Sequence, residues 1–356
     1  MAERVRIFVV GLGRMGAAHA IAYHRNPGFE IVGLMSRAID RSSLPFALQH
    51  YPTFTDFRQG MDATRPDAVS INSYPDTHAA YAIAAMEAGA HVFLEKPIAT
   101  TVADAERVVA TAVRTRRKLV LGYILRVHPL WTRFIELGRT LGKPLVMRFS
   151  LNQQSSGESW QVHRNLLGSI GPLADVGVHY VDVMCQLTGA RPVRVHGIGA
   201  TLWPGAPRDN YGHLHVTFDD GSIGWFESGW GPMISETAFF VRDIAGPGGS
   251  VSIVGASEDS GGRGADVELH AGTDRIRVHH AALDGDGAFV RPDDFLTLPE
   301  EPGFQELCER EQALFLKAIV EDIDLTASMA AAVDSLRVVL AAEASAASCE
   351  VVTLPA

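Results

Sequence analysis

The sequence predicts an α/β protein: a doubly wound parallel sheet over residues 1–125, then a second, strand-rich α/β domain over 126–356. Three observations carry this expectation. Up to about residue 125, short β-branched and aromatic runs alternate with longer amphipathic stretches, the rhythm of right-handed βαβ units. A glycine-rich turn, Gly11-Leu12-Gly13-Arg14-Met15-Gly16, separates the first such run from the first helical stretch. After residue 143 the pattern becomes strands separated by turns. A chain of 356 residues accommodates two domains of about 150 residues each.

The elements follow in order. Residues 6–10 form an apolar run too short for a helix and suited to a strand buried on both faces. A helix over about 15–24 stops before the turn Asn26-Pro27-Gly28. Buried strands are expected at 30–35 and 67–71, then an Ala-rich helix at 77–88 closed by Gly89. A strand at 91–94, a helix at 102–117 and a strand at 118–122 complete the first domain. In the second, 145–149 opens the strands, and the clearest hairpin joins 212–218 to 222–227 through Asp219-Asp220-Gly221. Further strands are expected at 193–201, 237–244, 250–254, 267–270 and 275–279. A helix at 172–187 interrupts them, 160–165 and 255–264 read as loops, and helices at 305–321 and 327–345 precede a short strand at 351–352.

Composition narrows the function. With 47% hydrophobic and 20% charged residues, the chain is an ordinary globular mixture. Lys and Arg number 31 against 41 Asp and Glu, a formal charge of −10. Without a basic run this excludes a dedicated nucleic-acid binder. Cys185, Cys308 and Cys349 are few, scattered and odd in number, as in a reducing compartment. No apolar run reaches the ~18 residues of a membrane span. A soluble, cytoplasmic protein is expected, with no membrane partner.

The glycine turn lies where a dinucleotide fingerprint belongs. Its first glycine makes the turn, its second admits the pyrophosphate, and its third lets the helix pack closely. An acid about 20 residues on would bind the ribose 2′-hydroxyl of NAD. Here Ser36-Arg37 stand instead, a hydroxyl and a guanidinium suited to the 2′-phosphate of NADP; NADP is preferred, with NAD possible. Glu95-Lys96-Pro97 follows the fourth strand directly, at the sheet end where ligands bind. Asp175, His179 and Asp182 share one face of an otherwise apolar helix. Buried ionisable groups are costly, so this face is a candidate site. Trp160 and His163 belong to a mixed aromatic and polar cluster just before that helix. His213 with His215 and His279 with His280 lack converging ligands, so no metal is expected.

In order along the chain, these motifs resemble the Gfo/Idh/MocA family, the glucose–fructose oxidoreductase and inositol dehydrogenase group. They are the glycine turn, Tyr74-Pro75-Asp76-Thr77-His78, Glu95-Lys96-Pro97, Gly122-Tyr123 through Arg126 and Pro129, and Asp175 to Asp182. The resemblance implies an N-terminal Rossmann domain and a C-terminal domain on a large, mostly antiparallel open sheet, with the active site between them. It implies an NAD(P)-dependent oxidoreductase acting on CH–OH groups of a sugar, sugar derivative or cyclitol, assembled as a homodimer or homotetramer. Carried over by position, Lys96, Asp175 and His179 form the catalytic set. Asn72, Tyr74, His78, Glu95 and Lys96 join Gly11 to Gly16, Ser36 and Arg37 at the cofactor. Arg126, Trp160 and His163 join the catalytic set at the substrate. The family's usual Trp-Arg reads Trp160-Gln161 here. A redox-assisted glycosidase or lyase and a non-catalytic sensor on the same fold remain as alternatives.

Overall fold

The computed structural model describes residues 4–235, 241–254, 275–297 and 301–355. The chain divides into two compact units: Met1–Ile124 with Gly303–Val333, and Leu125–Pro302 with Asp334–Ala356. The division therefore differs from a single cut at 125, because residues 303–333 return to the first unit.

Unit 1 begins β1 (Val5–Val10), α1 (Arg14–Arg25), β2 (Phe29–Met35), β3 (Thr53–Phe54), α2 (Phe57–Thr64) and β4 (Ala68–Ile71). It continues α3 (His78–Glu87), β5 (His91–Glu95), α4 (Val102–Thr115) and β6 (Leu119–Gly122). The six strands lie in the order β3-β2-β1-β4-β5-β6, and every pair is parallel. A parallel sheet is covered on both faces, so its strands are apolar throughout. Ile7 to Val10 and Val92 to Leu94 are accordingly wholly buried. The short β3 and α2 are not among the expected elements, although Phe57, Gly60, Met61 and Thr64 bury one face of α2 at helical spacing.

Unit 2 contains α5 (Pro129–Arg139), β7 (Val146–Gln154), α6 (Gly157–Leu166) and α7 (Pro172–Thr188). The strands β8 (Pro192–Ala200), β9 (Tyr211–Phe218), β10 (Ile223–Gly231), β11 (Arg242–Gly246), β12 (Gly249–Val254), β13 (Arg275–His280) and β14 (Asp294–Leu296) follow. Trp160 to Asn165, expected as a loop, lie within α6. The helix starts at a capping box of Ser156 and Ser159, a local signal that outweighs its weak apolar pattern. The expected strand at 267–270 and the loop at 255–264 fall outside the described residues, as do positions 237–240 of the strand expected at 237–244.

The chain ends with α8 (Phe304–Val320), α9 (Thr326–Ser348) and β15 (Val352–Thr353). α8 belongs to unit 1, where Phe315 stands 6.1 Å from both Phe29 and Phe93, ring to ring. Among the described residues of unit 2 nine strands form one sheet, β14-β13-β12-β11-β7-β10-β9-β8-β15. Among these strands β7 and β10 pair in parallel, and the other pairs are antiparallel. Leu214, Val216 and Phe218 of β9 are buried on one face, and His213, His215 and Thr217 alternate on the other.

α7 packs on the buried face of this sheet through Gly177. A Cβ there would lie 3.1 Å from Val339 Cγ1 and 3.2 Å from the Phe226 ring. Gly177→Val therefore forces helix and sheet apart, and an overpacked core loses about 1–3 kcal/mol. Urea unfolding should show the lowered midpoint; an unchanged midpoint would show that α7 tolerates the extra bulk.

Candidate active site

In unit 1 the strand order reverses between β1 and β4, the crevice where parallel sheets bind ligands. The three glycines there have three separate causes. Gly11 has φ +83° and a Cβ on it would lie 2.5 Å from Asn72 O. A Cβ on Gly16 would lie 1.8 Å from Gly11 O, whereas one on Gly13 would meet nothing within 4 Å. The outer two are demanded by the loop's own packing, and the middle one faces open space. The N-terminus of α1 carries no side-chain cap and no acid in its first turn, which leaves its dipole and N–H groups to an anion. These features fit a dinucleotide pyrophosphate.

Asn72 locks this loop: its N–H donates to Val10 O at 2.7 Å, and its side-chain Nδ2 to Ser70 Oγ at 3.1 Å. At the end of β2, the Ser36 N–H donates to Phe54 O, and Arg37 is exposed beside it. Leu12, Met15 and Tyr74 remain accessible at the same sheet end, as does Arg14. His78 behaves differently from the expectation. It is wholly buried, with Nδ1 2.7 Å from Pro97 O and Nε2 2.9 Å from Ser73 O. Burial holds its pKa down despite the two carbonyls. Its ring is spent bracing the turn behind Lys96, which corrects its assignment to direct cofactor contact. Lys96 itself is half-buried, one residue beyond β5.

In unit 2, α7 starts at Pro172 after Gly171 as N-cap. Asp175 lies in its first turn, where the helix dipole favours a carboxylate. His179, one turn on, is only 4% exposed. Asp182 completes the polar face and is anchored: Arg126 Nε donates to its Oδ2 at 2.8 Å, and Arg126 Nη2 to its Oδ1. Gln186 Nε2 adds a further bond at 2.8 Å. Arg126, expected at the substrate, is thus engaged as the two-pronged anchor of α7. His163 stacks on Trp230 at 4.5 Å between ring centres and is buried, so it supports α6 from inside. Trp160 is half-buried, edge-on to Trp203 at 5.1 Å.

The structure adds residues that the sequence did not single out. A cavity of about 330 Å³ opens beside the start of α7, lined among others by Thr201, Arg208, Asp209, Tyr211 and Glu343. Burial raises the pKa of Glu343, against the opposing pull of Arg208. No local motif announces these groups, since they come from a loop, from the start of β9 and from the last helix. Of the histidines close in sequence, His213 accepts at Nδ1 from Trp225 Nε1, and His279 and His280 pair with Asp293 and Asp294. Among the described residues, no helix is long and apolar enough to cross a membrane.

Comparison with known proteins agrees with this architecture. The model described as "Oxidoreductase family, NAD-binding Rossmann fold" matches residues 5–123. That of the GFO/IDH/MocA C-terminal domain matches residues 135–241. A UDP-N-acetylglucosamine 3-dehydrogenase of Acidithiobacillus ferrooxidans is 29% identical over 197 residues, 55% of this chain and 58% of the relative. An inositol 2-dehydrogenase of Klebsiella pneumoniae is 26% identical over 245 residues, 66% of this chain and 67% of the relative. The chain thus spans little more than half of the first of these relatives. Among solved structures, an NAD binding oxidoreductase from Klebsiella pneumoniae shares the fold with a TM-score of 0.79 at 21% identity, covering 99% of this chain and 100% of the other. Scyllo-inositol dehydrogenase from Lactobacillus casei, with bound NAD(H) and scyllo-inositol, gives 0.76 at 19% identity, covering 99% of each chain. With one family model lying over the parallel sheet and another over much of the second unit, the chain belongs to the GFO/IDH/MocA family of NAD-binding oxidoreductases.

Proposed function

We propose that this protein is an NAD(P)-dependent dehydrogenase or reductase acting on a CH–OH group of a sugar, sugar derivative or cyclitol. The observation that carries the chemistry is the buried imidazole of His179, one turn after Asp175 on a helix anchored by the Arg126–Asp182 pair. Supporting it are the open Gly13 approach in unit 1 and the named activities of the relatives. When bound, the nicotinamide supplies the hydride acceptor or donor. His179 takes the hydroxyl proton in oxidation and returns it in reduction. Asp175 orients that imidazole and stabilises its cationic form. Lys96 donates a hydrogen bond to the reacting oxygen. A screen of sugars and cyclitols with both cofactors, followed at the nicotinamide absorbance, tests the activity. Tightly held cofactor without net turnover would point instead to the redox-assisted glycosidase or lyase.

The cofactor preference rests on Ser36 and Arg37. NADPH should bind about tenfold or more tightly than NADH, since a guanidinium–phosphate contact contributes roughly 1.5–3 kcal/mol. Arg37→Ala should narrow that gap in fluorescence titrations. Equal or NADH-favouring affinity in the unmodified protein would overturn the preference.

The outward face of the nine-stranded sheet exposes Val146, Ile198 and Ile223. Apolar residues on an open face call for a cover, and we assign that cover to a second copy of the chain. A homodimer or homotetramer built on strands between about 193 and 280 should appear in light scattering. A monomer at micromolar concentration would refute it. The three unpaired cysteines suit a cytoplasmic setting.

The proton assignment predicts a graded series. His179→Ala should lower kcat by about 10²–10⁴ with cofactor affinity nearly intact. Lys96→Met should also cut kcat, and Asp175→Asn should cost less than either. Steady-state kinetics with cofactor titration separates the three. Wild-type turnover in His179→Ala would make the helix pair structural.

A further inference from the structure

Behind the end of β5 lies a buried cluster that the proposed reaction does not touch. His19 of α1 is wholly buried, with Nε2 2.8 Å from Glu95 Oε1 and Nδ1 2.8 Å from Gln312 Nε2 of α8. A carboxylate only accepts, so Nε2 carries the proton and donates it. Nδ1 is then left as an acceptor and takes an amide N–H from Gln312. The tautomer is fixed from both sides. The other oxygen of Glu95 accepts the backbone N–H of Lys96 at 3.1 Å. An unbroken chain of bonds therefore runs from α8 through α1 to the first residue beyond β5. Gly122 makes room for it, since a Cβ there would lie 3.1 Å from the Glu95 carboxyl. Burial opposes ionisation of Glu95, but the His19 bond, with Lys96 beside it, holds its pKa below the ordinary value.

A second carboxyl, Glu311, occupies the same cluster and stands apart from this chain. It is 3% exposed, and neither of its oxygens has a hydrogen-bond partner. An ionised carboxylate in that position is heavily penalised. Burial first, and then the charge of Glu95, raise its pKa well above the ordinary 4.5. Cys308 and Tyr23 also face these acids, and burial pushes the pKa of each up. The ligand atoms of His19, Cys308 and Glu311 lie within 4.8 Å of one another. They do not fit a cation, because both nitrogens of His19 are taken and the thiol and acid keep their protons.

We propose that Gln312, His19 and Glu95 form a buried clamp that fixes the backbone of Lys96, which makes them positioning residues for hydride transfer. The proposal rests on the role given to Lys96 above. Glu95 is the clamp's single charged carboxyl, and Glu311 is a neutral neighbour. The same Glu-to-Gln change therefore has opposite meanings at the two positions.

The test compares Glu95→Gln, His19→Leu, His19→Gln, Glu311→Gln and Lys96→Met. Hydrogen–deuterium exchange needs no substrate. The amides of Glu95, Lys96 and residues 98–100 should exchange faster in Glu95→Gln and His19→Leu, with the rest of β5 unchanged, and should recover in His19→Gln, which keeps a donor for Glu95. With the substrate found by the screen, kcat should fall about tenfold or more in the first two, while KM and NADPH affinity stay within about twofold. Glu311→Gln should match wild type in exchange and turnover. A carboxyl with a raised folded pKa adds stability that is complete below its unfolded pKa and lost as pH rises toward the folded one. The Tm of Glu311→Gln should therefore exceed that of wild type by a margin growing from about pH 5 to 8. Parallel Tm curves would place a second charge in the cluster and overturn the single-charge clamp. Unchanged exchange in Glu95→Gln and His19→Leu would overturn the clamp itself, as would unchanged turnover in them while Lys96→Met is impaired. Wild-type turnover in Lys96→Met removes the functional half of the proposal together with the role of Lys96, while exchange still decides whether the clamp exists.

Discussion

A parallel sheet cannot leave a face in water, and this constraint organises the first unit. Its strands are apolar on both sides, so helices must cover both. The cover for one face arrives from nearly two hundred residues downstream, when α8 lays Phe315 between Phe29 and Phe93. Phe315 and Ala318 belong to the same buried cluster as Ile7, Val9 and Phe93, with Leu316 and Ile319 packed against it. The return of α8 is thus a packing requirement before it is anything else. The polar residues it carries are brought in by that packing, which is how Gln312 comes to face His19.

The second unit solves a related problem with the opposite chemistry. α7 is buried along most of its length, yet it carries Asp175, His179 and Asp182. Gly177 lets the helix close onto Phe226 and Val339, and Arg126 neutralises Asp182 with two hydrogen bonds. A buried carboxylate without such a partner would destabilise the helix. The pair keeps the Asp182 charge compensated on a helix that also carries Asp175 and His179.

Much of this was legible in the sequence because it is local. The glycine turn, the buried strands of unit 1, the hairpin across Asp219 to Gly221 and the i, i+4 spacing of Asp175 and His179 all declare themselves within a few residues. The period of an apolar run and the conformational demand of a glycine are properties of short segments, so reading them requires no knowledge of the fold. Even Gly13, which nothing in the chain requires to be glycine, was recognisable from its neighbours.

What only the tertiary structure decided is the set of partners across long sequence separations. The sequence could not show that His78 braces Pro97, that Arg126 is engaged by Asp182, or that His163 lies flat on Trp230. Nor could it show that residues 303–333 belong with the first unit. Each of these outcomes is fixed by which surfaces remain to be covered once the sheets have formed. The sequence by itself determined which segments fold and which chemistry they carry, since propensity and motif act over a few residues. The tertiary structure decided which polar side chains are already satisfied within the protein, because burial and hydrogen bonding depend on neighbours the chain brings together only when packed.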